Sequence, residues 1–270
     1  LNKINRTAIG MNILETIVAK KRLEVEYAKS FNPIGQLEKS AYFGRTCISI
    51  SQSLLYPSAS GIIAEHKRKS PSKGVINDSL TVSEVVEGYQ QAGASAISVL
   101  TDKTFFGGSN QDLLAVRNAI HIPILRKEFI VNEYQIYEAK SIGADVILLI
   151  AACLRPEQVQ SFAKLSNQLG MEVLLELHDE EEFSHICDEV QLIGINNRSL
   201  KTFSVDIEKS LEMAAKIPDE KIKVAESGID DPSQVELFKQ HGYKGFLIGE
   251  NFMKTAQPGQ ALKEFLNQLK

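Results

Sequence analysis

The sequence predicts a single parallel (β/α)8 barrel preceded by an N-terminal helical extension, and two observations support this fold class. First, eight short apolar runs alternate with longer segments of helical pattern from residue 61 onward, at a spacing of roughly 26 residues. Second, the runs are apolar almost throughout, as in parallel strands that are buried on both faces. Strict alternation of strand and helix also requires parallel strands.

The eight predicted strands are rich in Ile, Leu, Val and Ala. They are Gly61–Lys67, Ser95–Thr101, Ile122–Lys127, Asp145–Ala151, Glu172–His178, Gln191–Asn196, Ile222–Glu226 and Gly245–Gly249. An open doubly wound sheet is the alternative, but it would need a glycine-rich dinucleotide-binding turn after an early strand, and none occurs. We therefore expect a closed barrel that forms a catalytic domain over residues 61–270.

The segments between the strands carry helix start signals. Thr81 with Glu84, and Asp179 with Glu182, have the spacing of a capping box. Pro232 suits the first position of a helix, where its missing N–H has no partner to lose. These signals predict helices that begin near residues 82, 180 and 232.

Residues 1–60 contain no convincing strand and are expected to form the helical extension. Apolar residues recur there at helical spacing, at Ile13, Leu14, Ile17 and Val18. The spacing predicts an amphipathic helix over residues 12–30, a weaker helix over 34–43 and a serine-rich loop over 51–60. The pattern leaves open whether the extension covers the bottom of the barrel, its mouth or another subunit.

Composition excludes several classes of protein. A hydrophobic share of 43% and a charged share of 24% are typical of globular proteins, and a net charge of −4 argues against a broad nucleic-acid surface. The longest apolar run, Val146–Leu154, is far shorter than the ~20 residues that cross a membrane. We expect no secretory signal, because no charged segment followed by an apolar stretch opens the sequence, and we leave open whether the first ten residues are a tag, an alternative start or a mobile tail. With three widely spaced cysteines, expected as reduced thiols, we expect a cytoplasmic protein.

Polar side chains end several predicted strands on the face that points into the barrel. Active sites of this fold lie at the C-terminal ends of the strands, and side chains two residues apart share a face. The polar residues that share a face with an inward apolar or small residue are Glu65, Lys67, Lys127, Glu176 and Asn196. Opposite charges in a partly dry cavity shift one another's pKa, as acid–base catalysis requires. His66 and Arg126 fall on the opposite face, and we expect them, with His178, to have structural roles.

A phosphate site is predicted where the last two strands end. Loops after the seventh and eighth strands commonly bind phosphate in barrels, and here they begin Ser227-Gly228 and Gly249-Glu250. Glycine lets the backbone come close, and the free N–H groups at a helix start attract an anion. Glu250 can contribute only its backbone N–H, because its side chain carries the wrong charge. Ser70, in the loop after the first strand, adds a donor.

The loop over residues 101–109 places Phe105 and Phe106 before a pair of glycines. A mobile lid that stacks on a flat substrate and a loop anchored to the core by its rings both fit this pattern. The five histidines are scattered and no metal-ligand spacing occurs, so no metal cofactor is expected.

Six ordered motifs of the chain resemble those of the indole-3-glycerol phosphate synthases of tryptophan biosynthesis. The motifs lie at residues 63–74 (IAEHKRKSPSKG), 98–102 (SVLTD) with 106–109 (FGGS), 123–129 (PILRKEF), 173–176 (VLLE), 194–198 (GINNR) and 225–229 (AESGI). The resemblance runs from about Ile13 to the last helix. It implies conversion of 1-(2-carboxyphenylamino)-1-deoxyribulose 5-phosphate into indole-3-glycerol phosphate, carbon dioxide and water, without an organic cofactor or metal.

The resemblance also implies roles for individual residues. Lys127 would be the general acid that protonates the ketone oxygen during ring closure, and Glu176 the general base of the later dehydration. Lys67 and Glu65 would assist, with Lys67 also able to pair with the substrate carboxylate. Asn196 would orient the sugar hydroxyls.

The remaining residues implied by the resemblance bind substrate. Phe106 would line the anthranilate pocket. The phosphate would be held by Ser70, Gly228, Gly249 and the amide of Glu250, and Ser227 and Arg198 complete the expected substrate-binding set.

Two other functions stay open at this stage. A related barrel isomerase acting on phosphoribosyl anthranilate would need a cysteine at the end of its first strand, which this chain lacks. A non-catalytic phosphosugar-binding barrel would be favoured if Lys127 and Glu176 were dispensable for turnover. The expected partner is the small-molecule substrate, not nucleic acid or membrane, and a partner enzyme of the same pathway is left open.

Overall fold

Eight parallel strands form a closed barrel in a computed structural model, which describes residues 12–199 and 204–269. In chain order the strands are β1 (Ile62–His66), β2 (Ala96–Leu100), β3 (Ile124–Lys127), β4 (Val146–Ile150), β5 (Glu172–Leu177), β6 (Leu192–Asn196), β7 (Ile222–Glu226) and β8 (Tyr243–Ile248). Each strand pairs with the next, and β1 closes the barrel by pairing with β8. The predicted fold class is confirmed. The expectation for the first ten residues lies outside the described residues.

Helices occupy most connections between the strands, where they pack on the outside of the barrel, and further helices precede β1 and follow β8. They are α1 (Ile13–Phe31), α2 (Ile34–Leu37), α3 (Ile50–Leu55), α4 (Val82–Ala92), α5 (Asn110–Val116), α6 (Tyr134–Ser141), α7 (Pro156–Gln168), α8 (Ile207–Ala214), α9 (Pro232–Gln240), α10 (Glu250–Met253) and α11 (Pro258–Leu266). Short 3-10 helices span Ala151–Cys153 and Glu180–His185, and a small antiparallel hairpin pairs Lys69–Ser70 with Gly74–Val75. None of the helices in the described part of the chain is both long and apolar enough to cross a membrane.

Two apolar layers hold the barrel together. One fills its interior with inward side chains of nearly every strand, including Ile63, Leu125, Leu174 and Val224. The other lies between the strands and the surrounding helices. Burial of every strand on both faces explains why the runs are apolar almost without interruption.

The capping predictions were half right. Thr81 and Glu84 form the expected capping box at the start of α4. The box predicted for Asp179 and Glu182 was wrong, because only a 3-10 helix follows β5 and Asp179 caps no N–H there. The carboxylate of Glu182 instead accepts the backbone N–H of His178 at 2.6 Å, while the Asp179 carboxylate pairs with Lys209.

Two predictions for the extension were also wrong. The stretch over residues 51–60 is not all loop, since α3 begins at Ile50, where the Ser49 side chain accepts the N–H of Gln52 at 3.1 Å. Ile50 and Leu54, four residues apart, are buried against the interior layer at the bottom of the barrel, and this packing outweighs the serine-rich composition. The second predicted helix, over residues 34–43, is the single turn α2 followed by turns.

The long helix α1 matches the helix predicted over residues 12–30 and is capped by Asn12 and Glu15. Its buried face is formed by Ile17, Lys21 and Val25. Its first turns line the cavity at the C-terminal ends of the strands, through Ile13, Leu14 and Ile17. The extension therefore reaches the mouth of the barrel with α1 and the bottom with α3.

Candidate active site

A cavity of about 620 Å³ opens at the C-terminal ends of the barrel strands. Its floor is polar, and its walls combine apolar side chains with glycine-containing turns. The residues expected from the sequence that line it are Glu65, Lys67, Ser70, Phe106, Lys127, Glu176, Asn196, Arg198, Ser227, Gly228, Gly249 and Glu250. The structure thus brings every candidate residue to one cavity.

Lys127, at the end of β3, lies at the centre of the floor. Its ammonium is 3.0 Å from Oε2 of Glu176 and also donates to the carboxylate of Glu226. Burial alone would lower the pKa of Lys127, but Glu176, Glu226 and Glu65 together raise it above its ordinary value. Lys127 is therefore a cation held between carboxylates.

Glu176, at the end of β5, is ionised in this arrangement. Its Oε1 accepts the amide of Asn196 at 3.0 Å and lies 3.2 Å from Nε2 of His178. Burial would raise the pKa of Glu176, but Lys127, His178 and the Asn196 hydrogen bond hold it well below its ordinary range. We expected a structural role for His178, and the structure also places it in contact with the Lys127–Glu176 cluster.

Glu226, at the end of β7, is a floor residue that the sequence reasoning left out. Burial, together with the nearby carboxylates of Glu176 and Glu65, raises the pKa of Glu226 to about 7 although Lys127 opposes the shift. Its Oε1 is buried and has no hydrogen-bond partner among the described residues. Glu226 therefore holds a proton more readily than Glu176, the other carboxylate that contacts Lys127. Glu226 shares a face with inward-pointing Val224, so the same two-residue spacing could have found it.

Glu65 and Lys67 form a second ion pair beside the first. Their Oε1 and Nζ atoms are 3.0 Å apart, and the other oxygen of Glu65 accepts the hydroxyl of Ser98 at 3.2 Å. A Cβ on Gly249 would lie 2.9 Å from Oε1 of Glu65, so a larger residue at the start of α10 would displace this carboxylate. Because Gly249 has no side chain, it leaves the Glu65 carboxylate the space in which it pairs with Lys67.

The turns after β7 and β8 have the features of an anion site. Ser227 and Gly228 have φ values of 68° and 70°, which turn the backbone sharply after β7. Glu250 opens α10, so its N–H has no acceptor within the helix. Its carboxylate lies 3.4 Å from Lys73 and 3.7 Å from Arg198, and these cations offset its charge.

One wall of the cavity is apolar. Phe106 and Phe129 pack with ring centroids 5.9 Å apart, and Ile13, Leu14 and Ile17 of α1 line the same cavity. Oδ1 of Asp102 accepts the backbone N–H groups of Phe105 at 2.7 Å and Phe106 at 3.1 Å. This turn directs Phe106 at the cavity, where a flat ligand could contact it.

His66 and Arg126 face the surrounding helices, as expected. Arg126 donates to the carboxylate of Glu138 and, at 2.8 Å, to the side chain of Asn110. Burial and the charge of Arg68 lower the pKa of His66 to about 4, so this histidine is neutral. Within residues 12–199 and 204–269, no three His, Cys, Asp or Glu side chains are grouped so that they could hold a metal ion.

The chain matches a family model described as indole-3-glycerol phosphate synthase over residues 14–265. It is 48% identical to the indole-3-glycerol phosphate synthase of Bacteroides thetaiotaomicron over 96% of this chain and 99% of that relative. It is 42% identical to the enzyme of the same description from Chromobacterium violaceum, over 93% of this chain and 96% of the relative. Among solved structures, a mutant tryptophan synthase α-subunit from Pyrococcus furiosus shares the fold, with a TM-score of 0.59 and 16% identity over 78% of this chain and 98% of that one.

Proposed function

The chain belongs to the indole-3-glycerol phosphate synthase family, and from this premise we propose how its own residues carry out the reaction. The protein is a decarboxylating lyase of tryptophan biosynthesis. It converts 1-(2-carboxyphenylamino)-1-deoxyribulose 5-phosphate into indole-3-glycerol phosphate, carbon dioxide and water. The observation that carries the assignment of roles is the contact of Lys127 with both Glu176 and Glu226 on the cavity floor.

The substrate has a phosphate end and a flat aromatic end that carries a carboxylate, and the cavity offers a matching surface for each. The phosphate would bind to the backbone of Gly228, Gly249 and Glu250, with hydroxyls from Ser70 and Ser227. The aryl ring would lie against Phe106. This orientation leaves the ketone of the substrate over Lys127, between the two ends.

Ring closure joins the ring carbon that carries the carboxylate to the ketone carbon. The ketone oxygen gains negative charge as this bond forms, and the ammonium of Lys127 would stabilise it and donate a proton. Loss of carbon dioxide then returns its bonding electron pair to the ring and restores aromaticity. Lys67, 3.0 Å from Glu65, is the cation that would pair with the substrate carboxylate before it leaves.

The final step removes water from the closed ring. Glu176 would accept the proton from the carbon next to nitrogen, and Lys67 would assist by donating a proton to the hydroxyl group, which leaves as water. Asn196, bonded to Glu176 at 3.0 Å, would orient the sugar hydroxyls. Glu65 would assist. We add Glu226 to the proposed set, because its raised pKa lets it hold a proton near neutral pH, which it could return to Lys127 after Lys127 has donated to the ketone oxygen.

Location, partner and domain division are also proposals. We place the enzyme in the cytoplasm, which agrees with the three cysteines being free in the structure. The substrate is the proposed partner, with a second enzyme of the pathway left open. We divide the chain into an extension over residues 1–60 and a catalytic barrel over residues 61–270.

The direct test is to mix the purified chain with the carboxyphenylamino substrate and to follow the fluorescence of the indole product and the release of carbon dioxide. We expect both signals in equal amounts. Turnover of phosphoribosyl anthranilate instead would indicate the isomerase, and saturable binding without product would indicate a phosphosugar-binding barrel. Either result would contradict the proposal.

A further inference from the structure

A buried lysine of α1 lies among three carboxylates outside the catalytic floor. Nζ of Lys21 is 2.8 Å from Glu24, 2.9 Å from Oδ2 of Asp102 and 3.0 Å from Oε1 of Glu128. Lys21 is 5% exposed, and Asp102 and Glu128 are buried as well. Buried charges are costly unless they are paired, so this ammonium is an essential counterion for both buried carboxylates.

Each of these carboxylates also holds the backbone of an aromatic residue of the cavity wall. Oδ1 of Asp102 accepts the N–H of Phe106 at 3.1 Å. Oε1 of Glu128 accepts the N–H of Phe129 at 2.8 Å. Lys21 therefore joins α1 to the two segments that carry the paired rings of Phe106 and Phe129.

A further contact joins the same elements. Glu24 of α1 accepts the hydroxyl of Thr104, in the loop before Phe106, at 3.2 Å. Ile17, one helical turn before Lys21, lines the cavity. The face of α1 that pairs with the loop thus also supplies part of the apolar wall.

We propose that Lys21 is a positioning residue for the aryl end of the substrate, acting through Asp102 and Glu128 on Phe106 and Phe129. This inference rests on the proposed function, because it assigns the apolar wall to the aryl ring. The ion-pair partners of Lys21 within residues 12–199 and 204–269 are Glu24, Asp102 and Glu128, and none of them belongs to the catalytic floor or the phosphate turns. Replacing Lys21 is therefore expected to weaken binding of the aryl ring of the substrate and to leave phosphate binding at the anion site unchanged.

Without Lys21, Glu128 would keep two neutral donors, the hydroxyl of Thr101 at 2.8 Å and the backbone N–H of Phe129 at 2.8 Å, and would lose the nearest cation among the described residues. Arg126 is 4.0 Å from Oε2 of Glu128, and it already pairs with Glu138. Among the described residues, Asp102 would keep only the backbone donors on its Oδ1. The carboxylates would then move toward water and carry the turns of Phe106 and Phe129 with them.

The test compares Lys21→Met with Lys21→Arg and with Lys29→Met. Lys29 is the control because it lies two turns further along α1, is only half-buried and pairs only with Glu26 among the described residues. Two quantities are measured: KM for the carboxyphenylamino substrate, and the inhibition constant of inorganic phosphate, which has no ring. For Lys21→Met we expect KM to rise at least tenfold and the phosphate constant to stay within twofold of wild type. Lys21→Arg should recover most of the loss, and Lys29→Met should match wild type.

Two results would overturn the proposal: an unchanged KM, or a rise of the same factor in both constants, as general loosening of the site would give. If Lys21→Met does not fold, Asp102→Asn is measured in the same way, because it keeps the acceptor for Phe106 and removes the charge. Absence of turnover in the wild type would instead contradict the proposed function itself, so the two failures are distinguishable.

Discussion

The ammonium of Lys127 lies 3.0 Å from Oε2 of Glu176, so a proton donor and a proton acceptor already touch on the floor of the cavity. They come from β3 and β5, which are not neighbours in the barrel. Only the inward curvature of the sheet brings the two ends together. A substrate bound over this pair would meet acid and base with little reorganisation of the protein.

The raised pKa of Glu226 predicts a specific pH dependence of stability. The folded protein keeps a proton on Glu226 that the unfolded chain releases above pH 4.5, so wild-type stability should fall as the pH rises towards 7. Glu226→Gln binds no proton at this position. As the pH rises through this window, the free energy of unfolding of the wild type should therefore fall relative to that of Glu226→Gln, by up to about 1.4 kcal/mol per pH unit.

Urea unfolding of both proteins at pH 5, 6, 7 and 8 measures this difference directly. Glu176 and His178 are present in both proteins, so their titration largely cancels in the comparison. Parallel stability curves across this range would show that Glu226 has no raised pKa.

Gly194 gives Glu226 the space it occupies. A Cβ at Gly194 would lie 2.1 Å from Oε1 of Glu226, which forces the carboxylate away from Lys127. We expect Gly194→Ala to lower kcat at least tenfold, measured by product fluorescence, while circular dichroism shows a folded barrel. Gly35→Ala is the matched control, because nothing lies within 4 Å of a Cβ there. Wild-type kcat in Gly194→Ala would contradict the placement of Glu226 in the machinery.

The turn at Ser227 tests the phosphate site. Ser227→Asp places a negative charge beside the proposed phosphate, and aspartate tolerates the positive φ of 68° better than most residues. At every pH between 6 and 8, we expect the KM of Ser227→Asp to be at least tenfold higher than that of the wild type. The inhibition constant of inorganic phosphate should be higher as well. Ser227→Asn has nearly the same shape without the charge and should stay within about threefold of wild type. Equal KM values for the two variants would exclude a phosphate at this turn.

The barrel could be predicted because its signal is repeated and local. Each strand is an apolar run, and the Thr81–Glu84 capping box predicts the start of α4. The elements that were missed depend on partners distant in sequence. Ile50 and Leu54 form a helix because the bottom of the barrel buries them, and Asp179 pairs with Lys209 and does not cap a helix.

The residues of the active site divide in the same way, into those that a local pattern predicts and those that depend on partners distant in sequence. Alternation along single strands was enough to bring Glu65, Lys127 and Glu176 to one face, and it should have included Glu226. It also puts His178, two residues after Glu176, on the same face, but it could not give the 3.2 Å contact between them, because His178 already begins the loop after β5. Nor could it place Lys21 between Asp102 and Glu128, since these residues come from three separate elements.

The most direct test of the account is the turnover of Lys127→Met, measured by product fluorescence under single-turnover conditions. Methionine keeps much of the side-chain volume and removes the charge, and protonation of Glu226 can offset the loss, so the variant should fold. We predict a rate at least a hundredfold below wild type, with Lys164→Met, an exposed control on α7, unchanged. A folded Lys127→Met enzyme within threefold of the wild-type rate would contradict the assignment of Lys127 as the catalytic acid.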